Sequence, residues 1–494
     1  MTSSPSSLKR NVKGYFEEIS GFDLFYQLTY MSATSASGVT RSRVFHLARL
    51  LPCPPARFFK EIDDVAVNLR YNYPDAVRMI GERVKTEVVR TFLLRLSDAL
   101  RSGEPLPNFL AREAEAQGNH YQNEYERQLE SLKKWTDGYT AITVSSALIV
   151  IMIMVSTMIY SMNPVTIAIM ILVAVAGAFG VAWVMFRTSP QETRDVPLAK
   201  GTREQRRALK LAKILIPLTV LVSLVLNMLP GLDKGLILIL AGILLFPPGF
   251  VYARSQTKTD KKDEEISAFL RSIGGAATSR GTTLKEALAA LKIDSFPTLR
   301  QDIRMLNLRL KSFGKPRMCW DMFGTESGSK LTEQATGVFT EAVGLGGDPE
   351  RAGGLASMFA MKTAMLRAKR RGVAASFSWL IIVMHGVMAA LMVFLLGILN
   401  QFTIRMETTM KASGGTQALA TMGLGSMFQF NAAQMQFLAQ LTVGMVVLLA
   451  IINAFAVVAC EGSHLLKITF YASILLVVSG ILVIIGPSLV KLVI

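Results

Sequence analysis

Residues 141–186 read AITVSSALIVIMIMVSTMIYSMNPVTIAIMILVAVAGAFGVAWVMF, and the next charged residue is Arg187. A helix that crosses a ~30 Å hydrocarbon core needs about 20 apolar residues. This run holds two such lengths. Asn163-Pro164 interrupts it midway, where proline removes an N–H donor and disfavours a helical residue before it. The stretch therefore reads as two spans, near 140–161 and 164–186, joined by a turn at Ser161-Met162-Asn163-Pro164. Two adjacent uncharged runs of this length do not suit a soluble core.

Outward from this hairpin the same pattern recurs. Spans are expected near 213–230 and 234–253, with a turn at Pro230-Gly231-Leu232-Asp233, and near 374–399, 436–459 and 466–490. That makes seven. The 494 residues are 51% hydrophobic and 18% charged, yet carry 53 Lys+Arg against 36 Asp+Glu, a net charge of +17. An apolar chain with this excess fits a membrane protein with large cytoplasmic parts. Nucleic acid is excluded as a partner, because the cations gather at span boundaries without interleaved aromatics.

Loop charge sets the orientation. The loop 187–213 holds Arg187, Arg194, Lys200, Arg203, Arg206, Arg207, Lys210 and Lys213 against Glu192, Asp195 and Glu204. The 400–435 segment holds only Arg405, Glu407 and Lys411. The basic loop is thus expected on the cytoplasmic side, with the N-terminus, and the C-terminus outside after an odd number of spans. The Ser-rich, basic start, Met1 to Arg10, leads into no apolar stretch, so no cleavable signal peptide is expected there.

The fold class expected is all-α: a polytopic membrane protein with about seven transmembrane helices and two homologous cytoplasmic helical bundles. The partition runs 1–138 helical domain, 139–186 hairpin, 187–212 basic loop, 213–253 hairpin, 254–373 second helical domain, 374–399 span, 400–435 extracytoplasmic loop and 436–494 two spans. In the first block Phe92, Leu93, Leu96, Ala99 and Leu100 recur at helical spacing and stop at Ser102-Gly103; in the second, Ile266, Phe269, Leu270 and Ile273 do the same. Thr282 reads as an N-cap before a short helix at 283–291.

The two blocks share punctuation. Gly38 and Gly281 lie 243 apart, Gly103 and Gly346 also 243, Pro55 and Pro297 242, and Pro74 and Pro316 242. Glycine tolerates positive φ and proline fixes φ, so these residues mark turns for backbone reasons. One helical array used twice accounts for the spacing. Each copy ends in a polar helix, with Lys133-Lys134 or Lys369-Arg370-Arg371, that runs into a span.

The turn Ser102-Gly103-Glu104-Pro105-Leu106, the related stretch from Ser279 to Leu288 around Gly281, and Tyr125-Glu126-Arg127 continuing to Leu132-Lys133-Lys134-Trp135-Thr136-Asp137-Gly138-Tyr139-Thr140-Ala141 carry a resemblance. With the order of block, spans, block and spans, the chain resembles the inner-membrane platform proteins of type II secretion and type IV pilus machines (the F-domain family), in the archaeal-type branch that includes archaellum assembly platforms. The resemblance implies a cytoplasmic hexameric ATPase and pilin-like subunits as partners. Beside it, membrane lipid is an expected contact, a homodimer a candidate assembly, and neither a cofactor nor enzymatic activity is expected. One departure is Gly344-Leu345-Gly346-Gly347-Asp348-Pro349-Glu350, where the first copy has Ser-Gly-Glu-Pro-Leu.

No catalytic constellation emerges from the residues themselves. His46, His120, His385 and His464 form no i, i+4 pair and no HExxH. His385 lies mid-span, as a proton-relay group or as a neutral imidazole hydrogen-bonded to a neighbouring helix. Gly324-Thr-Glu-Ser-Gly328-Ser-Lys330 lacks the Gly-Lys-Ser/Thr succession of a phosphate loop and reads as a flexible inter-helix loop. Arg367, Lys369, Arg370 and Arg371, with Arg203, Arg206 and Arg207, are the candidate contacts to anionic lipid or to an acidic patch on a motor. Cys53, Cys319 and Cys460 give no disulfide or zinc pattern. A secondary transporter or channel is the alternative; it would place ionisable groups and broken helices in the spans.

Overall fold

The computed structural model describes residues 19–159, 164–190, 192, 194–197, 201–229, 232–312, 315–412 and 432–493. Ser161, Met162, Asn163, Pro230, Gly231 and residues 413–431 of the expected turns and outer loop lie outside them. The all-α class holds: among the described residues there are sixteen α-helices, and the only extended pairing is an isolated bridge between Asp195 and Ser329.

Two compact units divide the chain. The first comprises Met1–Arg127, Glu192–Thr202 and Thr257–Ala368; the second comprises Gln128–Gln191, Arg203–Gln256 and Lys369–Ile494. Both polar blocks contribute to the first unit.

In the first block the helices are α1 Gly21–Ser35, α2 Arg41–Ala48, α3 Ala56–Asn68, α4 Tyr73–Arg83, α5 Glu87–Ser102 and the start of α6 Leu106–Ile159. After α7 Pro164–Thr188, α8 Arg203–Met228 and α9 Lys234–Arg280, the second block repeats the plan with α10 Leu284–Ala290, α11 Arg300–Ser312, α12 Pro316–Glu326, α13 Lys330–Gly344 and the start of α14 Pro349–Ala412. Every helix start from α2 to α6 thus recurs 243 or 244 residues later. The turns recur with them. Gly38, Gly103, Gly281 and Gly346 have φ of 74°, 81°, 60° and 90°, the left-handed region that glycine enters without steric cost. Thr40 and Thr283 cap α2 and α10 in the same way, each hydroxyl accepting a backbone N–H of the first turn. The expected cap at Thr282 is therefore one residue early.

α1 is buried along nearly its whole circumference. Two of its threonines are satisfied within the helix, Thr29 and Thr34 donating to the carbonyls of Phe25 and Tyr30 at 2.8 and 2.9 Å, and Gln27 donates to Ala48 O at 3.1 Å. α1 packs against α13 of the second block, and the rings of Phe22, Phe25 and Tyr26 lie 5.1–5.7 Å from that of Phe359. Ser37 Oγ donates to Ala342 O at 2.8 Å. The first copy has a hydrophobic core of its own, drawn from residues between Leu24 and Ala114, and α1 joins it to the second copy within one compact unit.

Among the described residues α6, α7, α8, α9 and α14, with α15 Ala432–Glu461 and α16 Ile468–Val493, are the seven helices long and apolar enough to cross a membrane. α7 packs on α15, and α15 on α16. α9 presents Gly235, Gly242 and Gly249, seven residues apart, to α16. A Cβ at Gly235 would lie 2.7 Å from Gly480 O, and one at Gly242 2.8 Å from Ser473 O; one at Gly249 would collide with the backbone of Phe470. Small residues permit this approach, which lipid alone does not drive.

Gly249→Val is expected to overpack this seam at a cost of about 1–3 kcal/mol, lowering the melting temperature in detergent by several degrees. Gly444→Ala, whose Cβ meets open space, serves as the control and should leave the melting temperature unchanged. Equal melting of the two variants would contradict the α9–α16 contact.

Candidate functional site

The first unit holds a buried charge centre. Arg367 comes from α14, beyond the blocks' last turn; its side chain is 1% exposed. Its Nε donates to Glu192 Oε2 and its Nη1 to Asp263 Oδ2, both at 2.9 Å. Tyr121 of α6 donates its hydroxyl to Glu192 Oε1 at 2.8 Å. Ser329, the N-cap of α13, donates to Asp263 Oδ1, and Thr332 Oγ1 reaches the same oxygen at 3.4 Å. Five elements thus converge on one guanidinium: α6, the segment after α7, α9, the α12–α13 turn and α14.

The segment that brings Glu192 is itself strapped down. Lys330 N donates to Arg194 O at 3.0 Å and Val196 N to Gly328 O at 3.3 Å. These bonds occupy the turn that the sequence presents as a flexible loop. That expectation is corrected: Ser327 and Ser329 are fully buried, and their hydroxyls are spent on the turn and on Asp263.

Burial would push the Glu192 carboxyl up, but the charges of Arg367 and Arg194 and the Tyr121 hydroxyl outweigh it and hold Glu192 below its ordinary value. Asp263 lies beyond the apolar stretch of α9. There burial prevails over Arg367 and Ser329, and its carboxyl is pushed up. Two acids divide one cation unequally, and Arg367 stays charged against its own burial. The centre has no open face on which a substrate would react. Its chemistry is that of a structural lock.

Arg370, one helical turn further along α14 in the second unit, is also buried. Its guanidinium donates to Cys460 O at 2.9 Å, Ala459 O at 3.1 Å and Pro190 O at 2.7 Å. Two of these are terminal carbonyls of α15, which a helix leaves unpaired and which favour a nearby cation. Gly462 follows with φ 66°, and a Cβ there would collide with the Arg370 guanidinium. Both Arg367 and Arg370 were expected to face lipid or a motor; both are corrected to internal roles, because carboxylates and carbonyls distant in sequence meet them. Lys369 is exposed and Arg371 half-buried. Arg203, Arg206 and Arg207 are exposed on the first turns of α8, whose opposite face carries buried Gln205 and Ala208.

The turn residues sit where a cap is needed. Gly103 closes α5; Glu104 N donates to Ala99 O at 3.1 Å, Leu106 is buried, Ser102 and Pro105 are exposed, and Glu104 pairs with Arg112. In the second copy Gly347 N donates to Ala342 O at 3.0 Å. The altered sequence there keeps the same hydrogen bond. Gly281 closes α9, with Thr282 N on Ala277 O at 3.1 Å.

Among the apolar helices, Tyr139 of α6 donates to Asn453 Oδ1 at 2.6 Å, and the Asn453 amide meets His385 Nδ1 at 3.1 Å. His385 Nε2 meets Ser479 Oγ at 2.9 Å, and Ser479 donates to Leu475 O at 2.8 Å. The contacts suit a neutral imidazole that accepts from the Asn453 amide at Nδ1 and donates from Nε2 to Ser479 Oγ. The network ties α6, α14, α15 and α16 together and ends on a helix carbonyl. Sequence reasoning does not reach Tyr121, Glu192, Asp263 or this linkage. The available signals are three acids within a basic loop and polar residues at span depth. No group of three or more His, Cys, Asp or Glu among the described residues could hold a metal.

With this geometry established, the comparisons add a family. Residues 28–154 match the family model of type II secretion system (T2SS), protein F. The platform-family resemblance is borne out, and its archaeal-type branch with it. The chain is 27% identical over 312 residues to flagella accessory protein J of Methanocaldococcus jannaschii, covering 60% of this chain and 54% of that protein. It is 25% identical over 287 residues to the protein of the same name from Methanococcus voltae, covering 56% and 51%. The chain thus spans about half the length of these curated relatives. No solved structure matches. Seven helices among the described residues are long and apolar enough to cross a membrane, and together with this family match they make the chain a multi-pass membrane protein.

Removing one member of a buried ion pair leaves a bare charge and costs about 3–5 kcal/mol. Arg367→Ala is expected to lose that much stability, read as a large fall in melting temperature or in yield of folded protein. Exposed Lys369→Ala should change it by less than about 0.5 kcal/mol. Similar melting of the two variants would contradict the lock.

Proposed function

We propose that this chain is the membrane platform of an archaellum-like or type IV pilus-like filament machine. It would couple a cytoplasmic hexameric ATPase to the assembly of pilin-like subunits. The observation that carries the reading is the protein F match over 28–154, supported by similarity to the two flagella accessory proteins. The repeated helical unit, followed by apolar helices, agrees with it.

In this reading residues 1–138, 187–212 and 254–373 face the cytoplasm, 139–186 and 213–253 form hairpins, 374–399 is a span, 400–435 is an extracytoplasmic loop and 436–494 holds two spans. The N-terminus is cytoplasmic and the C-terminus extracytoplasmic. The chain performs no catalysis; the ATPase supplies the energy and the platform passes on movement. α6, α9 and α14 each run unbroken from residues of the first unit into residues of the second, and offer a covalent route for that movement. Lys369, Arg371, Arg203, Arg206 and Arg207 keep the role of contacts to lipid or motor, at about 1 kcal/mol per cation near an anionic surface. A homodimer is the assembly proposed.

Deletion of this chain in its host should abolish filaments while pilin-like subunits still accumulate in the membrane, and re-expression should restore filaments. Normal filament number and length in the deletion strain, counted by electron microscopy, would overturn the reading.

A further inference from the structure

The repeat supplies an internal control for reading the surface. α3 and α11 align with an offset of 244, because buried Phe59 and Ile62 fall on buried Ile303 and Leu306. α4 and α12 align with an offset of 243 at their helix starts. With the cores in register, the outward positions can be compared one by one. Where the first copy has Glu61, Asp64 and Asp75, the second has Met305, Leu308 and Met318. These three apolar side chains are 44%, 58% and 60% exposed.

The charges around them differ as well. Four nearby cations of the second block are engaged: Lys262 with Asp302, Arg300 with Asp294, Arg309 with Glu326 and Arg317 with Glu341, at 2.6–3.0 Å. Arg304, Lys311 and Lys315 are exposed and have no acidic partner among the described residues. Arg304, Met305, Leu308 and Lys311 sit at i, i+1, i+4 and i+7, on the face of α11 opposite its buried Ile303, Leu306 and Leu310. Lys315 and Met318 continue the feature at the start of α12, which packs on α11.

We propose that this face of α11 and α12 is a docking surface for an acidic soluble protein, with Met305, Leu308 and Met318 as apolar anchors and Arg304, Lys311 and Lys315 pairing with the partner's carboxylates. Charge complementarity selects the partner: three unpaired cations around an apolar centre call for carboxylates around an apolar depression. Exposed methionine beside arginine is the composition that protein interfaces enrich, and methionine adapts to the partner's shape. Two anchors on α11, whose other face is already buried, and one on α12 suit a protein contact better than insertion into a bilayer, which takes a whole apolar helix face. The first copy, with acids at the anchor positions, lacks the feature. At these three positions the two copies of one helical plan are therefore asymmetric.

The identity of the partner rests on the proposed function, which assigns it to the assembly ATPase. The full chain in nanodiscs would be tested for binding to the purified ATPase of the same machine. A variant carrying the first copy's residues, Met305→Glu, Leu308→Asp and Met318→Asp, should bind at least tenfold more weakly at unchanged melting temperature. Lys311→Glu with Lys315→Glu, which leaves the apolar anchors intact, should also weaken binding severalfold. Lys60→Glu, on the first copy, should not. Binding of both second-copy variants within twofold of wild type overturns the docking surface and leaves the platform reading standing. No binding by the wild type overturns both. In a Leu308→Cys chain, ATPase should slow maleimide labelling; slowing by anionic lipid alone would make the face a lipid surface and overturn the proposal.

Discussion

Arg367 holds the first unit together by occupying a place water cannot reach. Taking one guanidinium and two carboxylates out of solvent costs several kcal/mol per ion, and their attraction repays it only when the geometry is good and the remaining lone pairs are met. Here they are largely met, by Tyr121, Ser329 and Thr332. An apolar cluster of similar size would hold the helices as firmly, but it would tolerate sliding. A guanidinium between two fixed carboxylates does not, because its N–H groups point in set directions. The centre therefore specifies register among five elements that lie far apart in the chain. Glu192 also explains why the basic segment after α7 lies in order against the α12–α13 turn: it carries the acid that Arg367 needs.

Duplication explains the rest of the first unit. Both copies keep helix starts, capping threonines and left-handed glycines, since these satisfy local backbone requirements that no partner can supply. They differ where chemistry faces outward. The first copy has its own buried acid, Asp63, held by Arg49 at 2.8 Å, Tyr73 at 3.0 Å and His46 at 3.3 Å; the aligned position in the second is Asn307. The second copy instead gives Asp263 to the central guanidinium. α1, in contact with α13 and Phe359, ties the two copies into one compact unit.

What the sequence shows and what it hides divide along physical lines. The spans, turn glycines and repeat were legible because each rests on local composition or backbone sterics: uncharged runs, positive φ, proline at a helix start. Arg367 and Arg370 were not. Their spacing beside Lys369 and Arg371 looks like a solvated basic patch, and only partners 90 to 180 residues away reveal them as buried. His385 was half legible. Its neutral, hydrogen-bonded state was among the readings, but its link through Asn453 to Tyr139, 314 residues from that asparagine, is tertiary. The loop at Ser327 to Ser329 misleads because glycine and serine signal a turn without saying whether a distant segment, here residues 194–196, will cover it.

The central claim is that two copies of one helical plan form a single cooperative unit locked by Arg367. Hydrogen exchange of the full chain in nanodiscs tests it most directly, because amides in one cooperative unit open together. Arg367→Met should accelerate exchange in α5 of the first copy and α13 of the second by similar factors, while α16 stays protected. Faster exchange confined to α13, with α5 unchanged, would show that the copies fold independently and would contradict the account.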